Sequence, residues 1–307
     1  MTGAGKNAVG VADLHVHTTA SDGLFSAEEV VSLCERRGIC AVAIADHDTL
    51  AGVVELVPAR ASEPGPAGHA TSCVSSFHYR GVEIIPAVEI NTELDGKEVH
   101  ILGYFVPIDP GSEFAILLDT LRRFRMDRVR AMVSRLEELG LPVELERVLF
   151  FAKGESVGRP HVGQAMVEKG YVSSVKEAFE RYLGTGKPAY VPRVHLTPVQ
   201  AVRSIVRAGG VAVWAHPGTA GCDHLLEELV NNGLDGLECV HPQHSPEDTR
   251  RYAALAREYG LIATGGSDFH GPGSAEGGEL GEWVVHYSVV TLLKEARVKR
   301  GLETAGR

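Results

Sequence analysis

Imidazole and carboxylate side chains recur along this chain at spacings that suit metal ions. The series opens with His15 and His17 in Asp13-Leu14-His15-Val16-His17 and closes with Asp268 and His270 in Ser267-Asp268-Phe269-His270. Val11 to His17 reads as a strand, and strand side chains alternate with period two, so both imidazoles face one side and can reach one cation. Alone, a His-x-His pair is as easily two ordinary core or surface histidines. The endings that follow weigh against that. Ala41 to Ala45 is a buried-strand pattern running into Asp46-His47-Asp48. Ile84 to Val88 ends at Glu89, Val99 to Phe105 carries His100, and Gly210 to Ala215 ends at His216. Leu237 to Val240 leads to His241, and Leu261 to Gly266 leads to Asp268 and His270. In a barrel of parallel strands the carboxyl ends converge on one mouth, so these residues are expected to meet there as a multinuclear metal site.

The elements that must position them are signalled by their caps. Ser26 with Glu29 is a capping box opening a helix from Ala27 to Arg37, with Gly38 as its stop, and Ser174 with Glu177 repeats the device. Thr197-Pro198 and Ser245-Pro246 each set a capping hydroxyl before a proline at the first helical position, and those helices stop near Gly209 and Gly260. Strand and helix alternate at this spacing, which predicts a parallel α/β architecture. The alternation breaks over 111–195, where Phe114 to Leu139 carries apolar residues at helical intervals; this segment is expected to be a helical cap inserted into a barrel formed by 1–110 and 196–307.

The motifs Asp13-Leu14-His15-Val16-His17, Ser21-Asp22-Gly23, Asp46-His47-Asp48-Thr49, Val88-Glu89-Ile90, Ala215-His216-Pro217 and Ser267-Asp268-Phe269-His270 resemble, in order and over nearly the whole chain, those of the PHP (polymerase and histidinol phosphatase) superfamily. The resemblance implies an α/β fold, a distorted (β/α)7 TIM-like barrel, with two or three divalent ions at its mouth. It also implies the ligand sets. His15, His17, Glu89 and Asp268 would hold one ion, Glu89 would bridge to a second held by His100 and His216, and Asp22, His47 and His270 with a bridging Asp268 would hold a third. Mixed imidazole and carboxylate donors suit manganese or iron first and zinc second.

Among members of that superfamily, the barrel with a helical insertion is most similar to stand-alone phosphoesterases acting on nucleotides. The resemblance therefore implies hydrolysis of nucleoside 3′,5′-bisphosphates, AMP-like nucleotides or short 5′-phosphorylated RNA by a metal-bridging hydroxide. A histidinol-phosphatase-like or other small-molecule phosphatase is the alternative. Gly158-Arg159-Pro160-His161 resembles an Arg-Pro-His element of nucleotide-hydrolysing members. An arginine grips phosphate with two parallel hydrogen bonds and a lysine supplies a point charge, so Arg159, His161 and Lys187 are the substrate-binding candidates. Asp268 is the candidate catalytic ligand, and His161 or His241 could protonate the leaving oxygen. His241 and His244 could equally orient metal ligands.

Composition narrows the classes. The net charge is −10, yet the stretch from Ser112 to His195 holds fourteen Lys and Arg against eleven Asp and Glu, so the insertion is locally cationic beside an acidic mouth. That suits an anionic small molecule or short oligonucleotide and argues against broad affinity for nucleic acid. No apolar run nears the roughly 20 residues that cross a bilayer, and the N-terminus lacks a signal-peptide core, so a cytoplasmic enzyme with no stable protein partner is expected. The five cysteines are scattered and never in Cys-x-x-Cys spacing, which indicates neither a disulfide framework nor a zinc ribbon. Residues 58–81, rich in Pro, Gly, Ala and Ser, read as a long loop, and residues 302–307 as a loose end. Two rivals remain: an amidohydrolase, which would want a metal-bridging lysine after a middle strand, and a noncatalytic module.

Overall fold

β2 (Ile39–Ile44) is an unbroken apolar run, and β1 (Val11–Val16) is buried along almost its whole length although it carries Asp13 and His15; such strands are stable only where both faces are covered. In the computed structural model, which describes residues 10–57, 76–154, 156–192, 196–273 and 277–305, they pair in parallel. β3 (Phe77–Tyr79), β4 (Val82–Leu94), β5 (Lys97–Tyr104), β6 (Val211–Trp214), β7 (Gly236–Val240), β8 (Ile262–Gly265) and β9 (Val285–His286) complete a sheet ordered β8-β7-β6-β5-β4-β2-β1-β9, with β3 beside β4. The chain beyond β8 returns to β1 through a Val16–Phe269 bridge, the His17 amide donating to the Phe269 carbonyl at 3.0 Å. The sheet is thus a nearly closed barrel. Gly266 permits this return, since a Cβ there would lie 2.4 Å from the His15 backbone nitrogen.

β1, β2 and β4 to β8 are the seven expected wall strands, and β9 adds an eighth, antiparallel to β1. The expectation of an all-parallel wall is corrected at β5, which runs antiparallel to both β4 and β6. The cause is local. Asp95 (φ 50°) and Gly96 (φ 76°) form a two-residue turn with both residues left-handed, the geometry that matches strand twist in a tight hairpin. β4 also does not stop at Glu89. It changes partner, from β2 up to Pro86 to β5 from Ala87 onward, and runs on to Leu94.

The helices are α1 (Ala27–Arg37), α2 (Ala51–Leu56), α3 (Glu113–Glu138), α4 (Leu145–Ala152), α5 (Arg159–Glu168), α6 (Val175–Ala178), α7 (Pro198–Arg207), α8 (Pro217–Ala220), α9 (Leu226–Asn231), α10 (Pro246–Glu258) and α11 (Ser288–Ala305). Capping boxes at Ser26, Thr197 and Ser245 start α1, α7 and α10, and Gly38 ends α1 at φ 71°. Ser174 also caps, but α6 lasts one turn before a π-helical turn, Phe179–Leu183. α3 serves two cores. Its Phe114, Leu118 and Leu121 join the barrel core with Val88, Ile101 and Trp214, whereas Val129, Met132 and Leu136 pack with Val148, Val162, Met166 and Leu183 in a second core made by the inserted helices.

Of the expected loop 58–81, residues 58–75, which include His69 and Cys73, lie outside the described residues. Phe77–Tyr79 form β3, and His78 is exposed on it. The C-terminal end expected to be loose instead continues α11 to Ala305. Cys34, Cys40, Cys222 and Cys239 are free thiols. No described helix is long and apolar enough to cross a membrane.

Candidate active site

At the end of β1, the Nε2 atoms of His15 and His17 lie 3.2 Å apart in the buried interior. Asp268 Oδ1 stands 3.4 Å from the first and 3.0 Å from the second, and Glu89 Oε2 stands 3.4 and 3.3 Å from them. Glu89 turns its other oxygen to His100 Nδ1 (2.9 Å) and His216 Nε2 (3.1 Å). Asp22 meets His270 Nε2 at 3.3 Å and His47 Nε2 at 3.6 Å. The nine expected ligands fall into three groups, each within 4.8 Å: His15, His17, Glu89 and Asp268; Glu89, His100 and His216; and His17, Asp22, His47 and His270; His15 forms a further group with Glu238 and His241. Glu89 and His17 link them, so all nine expected ligands meet in one cluster. His17 also stands beside the last group, its Nδ1 3.9 Å from Asp22, and Asp268 Oδ1 lies 3.6 Å from His270 Nδ1.

The backbone is bent to make this meeting. Asp48 (φ 53°), His216 (φ 30°) and Asp268 (φ 49°) occupy the left-handed region that residues with a Cβ rarely adopt. The surroundings hold them there. The His216 amide donates to Glu238 Oε2 (2.8 Å), Ser267 N donates to Asp13 Oδ1 (2.9 Å), and Asp48 N donates to the Glu89 carbonyl (3.1 Å).

Burial alone would raise the Asp22, Glu89 and Asp268 carboxyls, yet the imidazoles around them hold all three well below the ordinary range. Burial pushes His47 down to about 4. For His15 burial acts downward too, but Glu238, Asp268 and Glu89 outweigh it and the net shift is well upward. Metal ions fit this donor set. Two imidazole nitrogens at 3.2 Å cannot both present lone pairs comfortably without a shared cation, and His17 Nδ1, His100 Nε2 and one oxygen each of Asp22, Glu89 and Asp268 are buried without a well-formed hydrogen bond.

Several buried polar residues beside the cluster are not among the expected site residues. Glu238, wholly buried in β7, places Oε1 3.1 Å from His15 Nδ1, leaving Nε2 for the cluster. Its signal was a charged residue in the middle of an apolar strand. Buried Asp46 accepts from Thr18 and Ser21 in the loop that carries Asp22. Asn91 Nδ2 lies 2.9 Å from His47 Nδ1.

A cavity of about 420 Å³ opens on the cluster, and Lys97, Arg125 and Arg159 line it together with the candidate ligands. Each cation already has a partner. Arg125 Nε sits 2.5 Å from Asp48 Oδ2, Arg159 Nη2 sits 2.5 Å from Glu98 Oε2, and Lys97 donates to the Gly221 carbonyl at 3.0 Å. Lys187 is exposed and does not line the cavity, because the turn from Gly184 to Tyr190 carries it outward. His161 is buried behind the wall, its Nδ1 accepting from Gly158 N (3.0 Å), and burial lowers its pKa. His241 Nδ1 accepts from Gln243 N (3.2 Å), so its proton sits on Nε2, 3.4 Å from Asp268 Oδ2; burial lowers this imidazole as well. His244 accepts from Gly218 N and faces the Cys239 carbonyl, a backbone-bracing role.

Comparison with known proteins bears on this geometry. Residues 13–185 match the family model described as the PHP domain. The chain belongs to the PHP domain family. It is 36% identical over 265 residues to the 5′-3′ exoribonuclease Rnm of Escherichia coli K12, covering 85% of each chain. It is 33% identical over 273 residues to the 3′,5′-nucleoside bisphosphate phosphatase of Chromobacterium violaceum, covering 87% of this chain and 88% of that one. A crystal structure of a putative metal-dependent phosphoesterase from Bifidobacterium adolescentis superposes with a TM-score of 0.79 at 29% identity, covering 93% of this chain and 96% of that one. This PHP chain is accordingly a phosphoric ester hydrolase on a TIM-like barrel, and its ligand cluster fits divalent metal ions.

Proposed function

We propose that this PHP protein hydrolyses phosphate esters of nucleotides, taking nucleoside 3′,5′-bisphosphates, AMP-like nucleotides or short 5′-phosphorylated RNA. The observation that carries the reading is one cavity lined both by candidate metal ligands and by Lys97, Arg125 and Arg159. His15, His17, Asp22, His47, Glu89, His100, His216, Asp268 and His270 would hold two or three ions, manganese or iron before zinc. Ions bound there supply acidified water as the nucleophile and neutralise charge on the phosphoryl oxygens. The chain's own groups do the rest. Arg159 exchanges Glu98 for a phosphate, a bidentate grip that is free of net desolvation only when another anion replaces the first. His241 donates from Nε2 to Asp268 and keeps that carboxylate turned toward His15 and His17. Burial lowers the pKa of both His161 and His241, and the contact of His241 with Asp268 suits it to orienting that carboxylate.

The insertion 111–195 acts as the substrate cap, supported by Arg125 and Arg159 reaching the cavity from α3 and α5. Lys187, outside the lining, would contribute only as a distant charge. The amidohydrolase alternative is disfavoured by the lysine found on the cavity wall, since Lys97 is turned to Gly221. The test is phosphate and mononucleotide release from adenosine 3′,5′-bisphosphate, AMP and a short 5′-phosphorylated RNA with added manganese. Turnover of an amide with no turnover of any of the three would refute the reading.

A further inference from the structure

Of the candidate ligands Glu89, His100 and His216, two sit on strands and one does not. Glu89 and His100 belong to β4 and β5, whose ladder pairs Glu89 with Leu102 and His100 with Asn91. The sheet lets go before the third. The Ala215 amide still donates to the His100 carbonyl at 3.0 Å, and His216 then turns left-handed at φ 30° and ψ 56°. A residue with a Cβ does not hold that conformation unaided. The helix that follows, α8, is four residues long and too short to anchor the turn by itself.

The support comes from residues 244–252. His244, just ahead of the Ser245 cap of α10, accepts from the Gly218 amide on Nε2 at 3.1 Å, and its Nδ1 donates to the Cys239 carbonyl at 3.0 Å. Both ring nitrogens are thus spent on backbone. The ring stacks on Tyr252 with centroids 5.1 Å apart. Tyr252 reaches on, its hydroxyl donating to Asp223 Oδ1 at 3.1 Å, and Arg251 pairs with the other oxygen of Asp223. Asp223 opens the 3-10 turn Asp223–Leu225 that follows α8. The stretch from His216 to Asp223 is therefore gripped near both ends by His244 and the first half of α10. The fit is close, since a Cβ on Gly218 would lie 2.8 Å from His244 Cδ2 and 3.3 Å from Tyr252 Cε2.

From this arrangement we infer that His244, Tyr252 and Asp223 form a clasp that positions His216, and so set the affinity of the ion that Glu89, His100 and His216 would share. This rests on the metal-cluster reading above. The link to the imidazole is Thr219. With the Gly218 amide held, the next residue keeps its Oγ1 3.1 Å from His216 Nδ1, which leaves His216 Nε2 beside Glu89 Oε1 at 3.1 Å. The effect is selective because the clasped stretch carries no other candidate ligand. His241, whose ring lies 5.5 Å from His244, keeps its own contacts with Asp268 and the Gln243 amide.

The experiment titrates metal-free protein with manganese, reading site number and affinity by calorimetry and ion content by elemental analysis. The native chain is compared with His216→Ala, His244→Phe, His244→Gln and Tyr252→Phe. His216→Ala marks the site that the clasped stretch serves. Phenylalanine at 244 keeps the stack on Tyr252 but cannot accept from Gly218; glutamine can accept and gives up the stack. His244→Phe is expected to weaken the site marked by His216→Ala about tenfold or more, with the others unchanged, and His244→Gln to recover most of that affinity. Tyr252→Phe removes only the hydroxyl at the far end, so it weakens the same site by less, and it carries the test if His244→Phe does not fold. Native affinity in His244→Phe, or in Tyr252→Phe where that variant stands in, would overturn the clasp and leave the cluster standing. Equal weakening of every site, or a glutamine variant worse than the phenylalanine one, would do the same. A native chain that binds no manganese would remove the cluster, and the clasp with it.

Discussion

The barrel mouth and the inserted helices line one cavity but are held in different ways. The ligand side chains come from strand ends and short loops far apart in sequence, fixed by buried hydrogen bonds and left-handed backbone at Asp48, His216 and Asp268. The insertion has its own apolar core around Met132, Val148 and Met166, and its cavity-facing arginines are tied by exchangeable ion pairs to Asp48 and Glu98 on the barrel. The difference teaches that the candidate ligands are braced by the backbone around them, whereas the two arginines are already paired with carboxylates, which under the proposed reading an anionic substrate would replace.

The hardest blow to the braced ligands is Asp268→Asn. It removes the carboxylate shared by His15 and His17 without changing size, so kcat should fall about 10³-fold or more and metal content per chain should drop, read by steady-state kinetics and elemental analysis. Retained activity would mean the cluster is not the reacting centre. Met132→Ala strikes the other region. That side chain is fully buried in the inserted core, and its loss should cost about 3 kcal/mol in denaturant unfolding while metal content of the folded protein stays unchanged. Equal loss of metal would show that the two regions are one unit. Glu238→Gln sharpens the account of the braced ligands, because the amide can still bond to His15 but carries no charge. Metal affinity should weaken about 10- to 100-fold, measured by competition with a chelator.

The smallest effect separates the regions by pH. Burial holds the His161 imidazole of α5 below its ordinary value of 6.5, so below that pH the unfolded chain binds a proton that the folded one does not. Stability from this residue is therefore complete above 6.5 and declines as pH falls toward the lowered folded value. Melting curves of metal-free protein from pH 8 to pH 5 should slope less steeply in His161→Gln than in the native chain. Parallel slopes would remove His161 from the acid sensitivity.

Much of the site was legible because its chemistry is written in residue types. A histidine or carboxylate straight after an apolar strand pattern, as at His47, His216 and Asp268, has few reasons to be there other than ligation or capping. Helix starts were legible for a similarly local reason, since Ser26, Thr197 and Ser245 satisfy their own backbone within three residues. The reversed β5 was also local, signalled by Asp95-Gly96, but the run of parallel neighbours hid it. Glu238 and Asn91 were not legible, because an orienting residue is defined by the side chain it touches, and His15 lies 223 positions from Glu238. Lys187 shows the converse: a cation in a suggestive motif says nothing of which way its turn faces.

By itself the sequence marked nine candidate ligands, most of the strand and helix order and a cationic helical insertion, because capping, alternation and short motifs are written over a few residues. Only the tertiary structure decided which of those side chains stand side by side, that Glu238 reaches His15, that Arg125 instead of Lys187 lines the cavity, and that a second cavity opens beside the first. Those outcomes depend on distances between segments brought together by barrel closure, and closure is set by the whole sheet, by the return of the chain after β8 onto β1 and by the room that Gly266 leaves for it.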